Sequence, residues 1–201
     1  DFDLDLFEKL PDQTADHKKL MGASGFLLDY TGGPELQRFA TMEPTCTICG
    51  LESGYTGPGS KTVLPAKAMA KIDFRLVPNQ TPERVVANLR KHLDAQGFGD
   101  IMVTFLGGGR PAKTDPQHPF IQLVNETAKE TYGKDPVIWP MVGGSGPNYP
   151  FVNVLNVPVA MAGISYPGTQ AHAPNENIRI DLLAKGIKHT ARIIEAFSRM
   201  E

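Results

Sequence analysis

A chain of 201 residues, 41% hydrophobic and 21% charged, has the composition of an ordinary globular protein and enough length for one large core or two small ones. Its formal net charge of −2 offers no basic field to nucleic acid or an anionic membrane, and no apolar run approaches the ~20 residues of a membrane span. The opening "DFDLDLFEKL" has neither the basic region nor the apolar core of a signal peptide, and the lack of an initiator Met fits a chain cut from something longer.

Along residues 1–43 the pattern is weak. Leu4, Phe7 and Leu10 predict a short helix stopped by Pro11, a second helical piece includes Leu20, and "TGGPE" at residues 31–35 reads as a turn. This stretch is expected to be a connector. Residues 45–50, "TCTICG", read as a strand ended by Gly50. They contain the chain's two cysteines, Cys46 and Cys49, too few for a disulfide-built secreted domain, so a cytoplasmic location is expected. In a strand, an odd separation sends the two thiols to opposite faces, which argues against a redox pair.

From residue 64 to 76 apolar and polar side chains alternate. Leu64, Ala66, Ala68, Ala70, Ile72, Phe74 and Leu76 take one face; Lys67, Met69, Lys71, Asp73 and Arg75 take the other. Period two predicts an antiparallel strand with one buried face. A helix follows, with Thr81 as N-cap, Pro82 in the first turn, Val85, Val86, Leu89 and Leu93 as its apolar stripe, and Gly97 at its end. Residues 101–106 predict the next strand. "DPQHPF" then opens a helix that turns Phe120, Ile121, Val124 and Ala128 inward and ends near Gly133. A short strand is expected at 137–142 and a strand buried on both faces at 157–164. The last helix spans about 178–200, with Ile180, Leu183, Ile187, Ala191 and Ile194 inward. Residues 44–142 thus read as an α+β sandwich with one open face. Residues 143–201 read as the strand and helix of a more deeply buried α/β sheet.

Candidate chemistry is sparse. "GYTGPGSKT" imitates a phosphate loop, but Ser60 separates Gly59 from Lys61, Pro58 removes a backbone N–H, and a strand follows in place of a helix. Of the five histidines, none lie three to five residues apart. His92 and His189 sit on amphipathic helices as solvated or boundary residues, and His118 opens a helix. His172, among the small and turn-forming residues of "GTQAHAPNENIRI", is either a polar loop residue or one metal ligand completed elsewhere. Arg75 is either a solvated charge or a bidentate grip for a substrate carboxylate. "GGSGP" lacks the strand–elbow–helix order of a serine nucleophile.

Taken together, "GYTGPGSKTVLPAKAMAKIDFRLVPNQTPE", "VGGSGP" and "AHAPNE" resemble, in that order, the C-terminal part of the di-zinc metallopeptidase superfamily. That superfamily contains carnosine dipeptidase, carboxypeptidase G, acetylornithine deacetylase and succinyl-diaminopimelate desuccinylase, and the likeness is greatest to the carnosine-dipeptidase-like branch. The match covers residues 44–201. It implies an α/β overall fold, with an α+β two-layer antiparallel-sheet lid at residues 44–142 that mediates homodimerisation. Residues 143–201 would then be the C-terminal strand-and-helix segment of the catalytic zinc domain.

By the same resemblance, His172 matches the last zinc ligand and Arg75 the lid arginine that grips the substrate carboxylate. Thr62 matches a substrate-contacting lid position, and Gly144 and Ser145 the loop that contacts substrate near the hinge. Two zinc ions serve the intact site, whose substrates are dipeptides or N-acyl amino acids. The family's other metal ligands and its general-base glutamate match nothing here, so no catalytic residue is assigned in this chain. Three expectations follow: the chain belongs to a zinc amidohydrolase, by itself inactive and not retaining zinc; it is a non-catalytic lid and dimerisation module; or it is a redox protein built on Cys46 and Cys49.

Overall fold

The structure, a computed structural model, describes residues 2–26 and 28–200, with side chains from Asp5 onward, so the inward placement expected of Leu4 lies outside the described residues. In chain order the elements are helices α1 (Phe2–Glu8), α2 (Thr14–Met21) and α3 (Gly33–Met42), strands β1 (Thr45–Ser53) and β2 (Ala68–Arg75), helices α4 (Pro82–Ala95) and α5 (Pro119–Tyr132), a single π-helical turn (Pro150–Val154), and helix α6 (Ile180–Phe197). They fall into two compact units. One comprises Asp1–Pro11, Ala112–Pro140 and Gly146–Glu201; the other comprises Asp12–Pro111 and Met141–Ser145.

In the unit that contains α1, α5 and α6, the buried apolar side chains are Leu6, Phe7, Leu10 and Val124, with Phe7 only 2% exposed. The expected helix before Pro11 is present, and its last turn closes through Leu10 N–H to the Phe7 carbonyl at 3.1 Å. Helix α5 begins where His118 caps it, the ring Nδ1 accepting the Phe120 N–H at 3.1 Å. It ends where Gly133 takes φ +69°, the left-handed turn that glycine adopts without strain. α5 packs on α6. Phe120 meets Phe197 edge-on at 5.8 Å, and the Arg192 guanidinium donates to Thr131 Oγ1 at 3.0 Å.

The inward face of α6 differs from the expected one. Gly186 and His189 are buried and Leu182, Ile193 and Ala196 half-buried, whereas Ile180 is 83% and Ile194 66% exposed. Two contacts set this rotation. Gly186 has no side chain, and the Ile164 methyl groups occupy the space a Cβ would need. His189, expected at the boundary, is 5% exposed and hydrogen-bonded to α5. Its Nε2 lies 3.2 Å from the Val124 carbonyl and 3.1 Å from Thr127 Oγ1. A carbonyl only accepts, so Nε2 carries the proton. Apolar periodicity could not find this face because α6 is apolar on two sides, and packing chose the one with the small residue and the hydrogen bond.

In the other unit β1 and β2 form an antiparallel pair. Ile48 pairs with Ile72 and Gly50 with Lys71, which leaves Cys49 between them as the extra residue of a β-bulge. β1 therefore continues past Gly50 to Ser53. The bulge changes the phase of β1: without it, Leu51 would point to the face of Arg75. With it, Leu51 joins Ile48, Ala70, Ile72 and Phe74, and the opposite face keeps Thr45, Thr47, Lys71, Asp73 and Arg75. The apolar face is not buried as alternation predicts. Every residue from 51 to 73 is exposed and Phe74 is half-buried. Both thiols are free and exposed; Cys49 donates weakly to the Lys71 carbonyl at 3.4 Å.

Among the described residues, the strands expected at 101–106, 137–142 and 157–164 are not formed. β-propensity describes a surface that fits a ladder, and a strand exists only where a neighbour supplies one. Beside 157–164 none does: the Val159 N–H goes to Thr114 Oγ1 at 3.0 Å. Conversely, "TGGPE" is not a free turn but the entry to α3, with Gly32 at φ +134° and Pro34 in the first turn. Helix α4 keeps its expected cap, Thr81 Oγ1 accepting the Arg84 N–H at 3.3 Å.

Replacing Gly186→Ala forces a methyl group into Ile164. It is expected to destabilise the unit by about 1–3 kcal/mol even though alanine favours helix. Urea unfolding measures this. Trimming the neighbour as well, Ile164→Ala, is expected to recover part of the loss.

Candidate functional site

Arg75 closes β2, and its side chain is held at two points. Nε lies 2.9 Å from Asp73 Oδ2, and Nη1 donates to Ser145 Oγ at 2.8 Å. Asp73 and Arg75 are two residues apart on one strand and so share a face. Their cross-strand partners are Thr47 and Thr45, short neutral side chains that crowd neither charge. Ser145 arrives from a segment 70 residues away. The structure thus brings together Arg75 and Ser145, both candidates for substrate contact. The remaining N–H groups of the Arg75 fork have no partner among the described residues, and the side chain is 57% exposed.

The other candidates are placed less tightly. Thr62 lies exposed in the loop joining β1 to β2. That loop frames an open cavity of about 610 Å³ lined by Tyr55, Val63, Leu64 and Met69 among others, and Lys61 Nζ stands 5.7 Å from the Tyr55 ring centre. Gly144 is exposed, and a Cβ there would meet only Val142 Cγ1 at an ordinary 3.9 Å, so space does not demand glycine.

His172 sits in the other unit, in a loop with three left-handed residues: Gln170 at φ +52°, His172 at +62° and Asn175 at +65°. Such angles cost non-glycine residues energy and persist only where surrounding bonds hold them. Asn177 supplies most of those bonds. Its Nδ2 donates to the Gly168 and Asn175 carbonyls at 3.2 and 3.0 Å, its Oδ1 accepts from Tyr166 Oη at 2.5 Å, and its carbonyl accepts from Thr169 Oγ1 at 2.5 Å. The His172 N–H points at Glu176 Oε2, 3.4 Å away. The ring is exposed, with no hydrogen-bond partner among the described residues. A cavity of about 330 Å³ lies alongside, lined by Ile164, Ser165, Thr169, Glu176, Asn177 and Ile178. At the loop's exit Arg179 hydrogen-bonds Asp181, holding that carboxyl below its ordinary range and the guanidinium above its own.

Could these residues hold a metal? No group of three or more His, Cys, Asp or Glu side chains gathers as a metal site among the described residues. A zinc centre takes at least three protein ligands. The exposed, unbonded His172 imidazole suits one of them, but the donor set as described does not fit a zinc ion. His92 and Asp94, two residues apart on helix α4, project from different faces and cannot share an ion, and Arg90 engages Asp94 at 2.7 Å.

Asp73 and Asn177 escaped sequence reasoning. For Asp73 a signal existed, since an acid two residues before an arginine on a strand must share its face. For Asn177 none did, because its partners depend on the loop's closure.

Comparison with known proteins places this geometry in a class. The model of Peptidase family M20/M25/M40 matches residues 17–196, and the chain belongs to that family. Among its relatives, the Cys-Gly metallodipeptidase DUG1 of Saccharomyces cerevisiae is 28% identical over 161 residues, which are 77% of this chain and 33% of that protein. The Beta-Ala-His dipeptidase of Rattus norvegicus is 26% identical over 136 residues, 65% of this chain and 27% of that protein. The chain therefore spans about a third or less of the length of these relatives. Among solved structures, the M20 family metallo-carboxypeptidase Sso-CP2 from Sulfolobus solfataricus superposes with a TM-score of 0.87 at 36% identity, covering 100% of this chain and 46% of that one. The mixed helix-and-strand fold is that of M20 peptidases.

Replacing Asn177→Ala is expected to raise amide hydrogen exchange at least about tenfold across residues 166–177, while α5 and α6 keep their protection. Unchanged exchange in the loop would contradict the role given to Asn177.

Proposed function

We propose that this chain supplies the carboxylate-binding lid and one metal ligand of a dipeptidase-type metal-dependent hydrolase whose substrates are dipeptides or N-acyl amino acids. The observation that carries the reading is Arg75: an exposed guanidinium fixed at its base, with donors to spare, in a chain of the M20 family. A planar fork of this kind grips a carboxylate through two parallel hydrogen bonds. Holding the substrate's carboxylate aligns its scissile amide, so binding free energy lowers the entropic part of the barrier. Ser145 touches the same guanidinium, Gly144 precedes it in the chain, and Thr62 in the β1–β2 loop adds a hydroxyl to the substrate's surroundings. His172 supplies one imidazole ligand to a centre of two zinc ions. A metal held there would supply Lewis-acid activation of the scissile carbonyl and of a water. This chain's described residues do not complete that centre.

The unit containing β1 and β2 is also proposed as a homodimer contact. Ile48, Leu51 and Ile72 present apolar surface there that the unit itself leaves exposed.

A second reading is favoured by the lack of a metal-binding cluster among the described residues: the 201-residue chain by itself is a non-catalytic lid and dimerisation module. Zinc analysis and dipeptide hydrolysis by the chain decide this reading. It expects substoichiometric zinc and no turnover, whereas tightly bound zinc with turnover would contradict it.

In the intact protein, Arg75→Lys keeps the charge and loses the fork, and is expected to raise KM for substrates with a free carboxylate about tenfold or more. An unchanged KM would contradict the assignment. His172→Ala is expected to lower the zinc bound per chain by one ion; undiminished zinc content would remove His172 from the ligand set.

A further inference from the structure

An arginine on an exposed strand explores many rotamers, and a bidentate grip requires one. Arg75 is confined from two sides, and the closer confinement comes from Asp73. Its Oδ2 sits 2.9 Å from Nε, and residues i and i+2 of a strand project from the same face. The Asp73 carboxylate closes the Nε side of the fork. What remains for an incoming carboxylate is the edge formed by the two terminal nitrogens, one of which Ser145 Oγ also steadies at 2.8 Å. Lys71, the next residue on this face, makes no ion pair with Asp73 among the described residues, so the aspartate is committed to Arg75.

We propose that Asp73 is the positioning residue for Arg75: it selects the guanidinium orientation and directs the terminal-nitrogen edge to the substrate carboxylate. The inference rests on Arg75 being the carboxylate receptor. Charge alone argues the other way. A second anion beside the guanidinium opposes an incoming carboxylate and, if it only competed for Arg75, would weaken binding. Positioning and competition therefore predict opposite signs for one substitution.

The test uses the intact protein and its Asp73→Asn, Asp73→Glu and Arg75→Lys variants, assayed on a dipeptide and on the same dipeptide with a C-terminal amide. Asp73→Asn is nearly isosteric and removes the negative charge. Positioning predicts that KM for the free dipeptide rises about fivefold or more, despite the gain in net positive charge, with kcat changed much less and the amide hardly affected. Asp73→Glu is expected to fall between wild type and Asp73→Asn. A KM that falls or stays level in Asp73→Asn, while Arg75→Lys raises it, overturns the role of Asp73 and leaves the Arg75 reading intact. A level KM in Arg75→Lys removes both. A readout independent of turnover is the Arg75 Nε–H resonance of the 201-residue chain. Positioning expects its order parameter to be high in wild type and to fall in Asp73→Asn as the 2.9 Å contact is lost; equal order parameters in the two overturn the proposal.

Discussion

The functional reading depends on one side chain being held at its base and open at its tip. Arg75 meets Asp73 from its own strand and Ser145 from a segment 70 residues away. Neither contact contributes much stability, since an exposed ion pair is worth at most about 1 kcal/mol. Their value is geometric. In an exposed, water-screened setting, field strength does little to select a ligand, and a fixed planar fork does more. The bulge at Cys49 acts on the same ladder: one extra residue in β1 puts Leu51 on the face of Ile48, Ala70, Ile72 and Phe74, away from the face of Arg75.

The same arrangement recurs around His172 by different means. There the backbone is confined, with three left-handed residues held in place mainly by Asn177, while the imidazole is left without hydrogen-bond partners among the described residues. A histidine kept for packing looks different, and the chain contains one. His189 is buried, donates from Nε2 to the Val124 carbonyl and touches the edge of Tyr132 at 5.7 Å. The contrast between the two histidines is the structural ground for treating one as a prospective ligand and the other as part of the core.

Local chemistry was legible in the sequence, and dependence on neighbours was not. The Thr81 cap of α4, the Gly133 stop of α5 and a strand through Arg75, expected at 64–76 and formed over Ala68–Arg75, follow from residues within a few positions of each other. The misread elements all turn on a partner distant in sequence. The apolar run at 157–164 has the composition of a buried strand, yet its Val159 N–H bonds a threonine hydroxyl. The inward face of α6 was set by Ile164 against Gly186 and by α5 against His189. Helix α3 was hidden because its first turn is Gly33, Pro34 and Glu35, residues that read equally as a turn. Arg75 and His172 were marked by family resemblance, whereas the contacts that hold each of them depend on partners elsewhere in the fold.

The chain belongs to the M20 family and spans about a third or less of the relatives' length. The central claim is that Arg75 receives the substrate's carboxylate. Calorimetric titration of the metal-free protein with a dipeptide, and with its C-terminal amide, measures that contact apart from any metal chemistry. The account predicts that the free carboxylate binds about tenfold more tightly than the amide. Equal affinity for the two would contradict it.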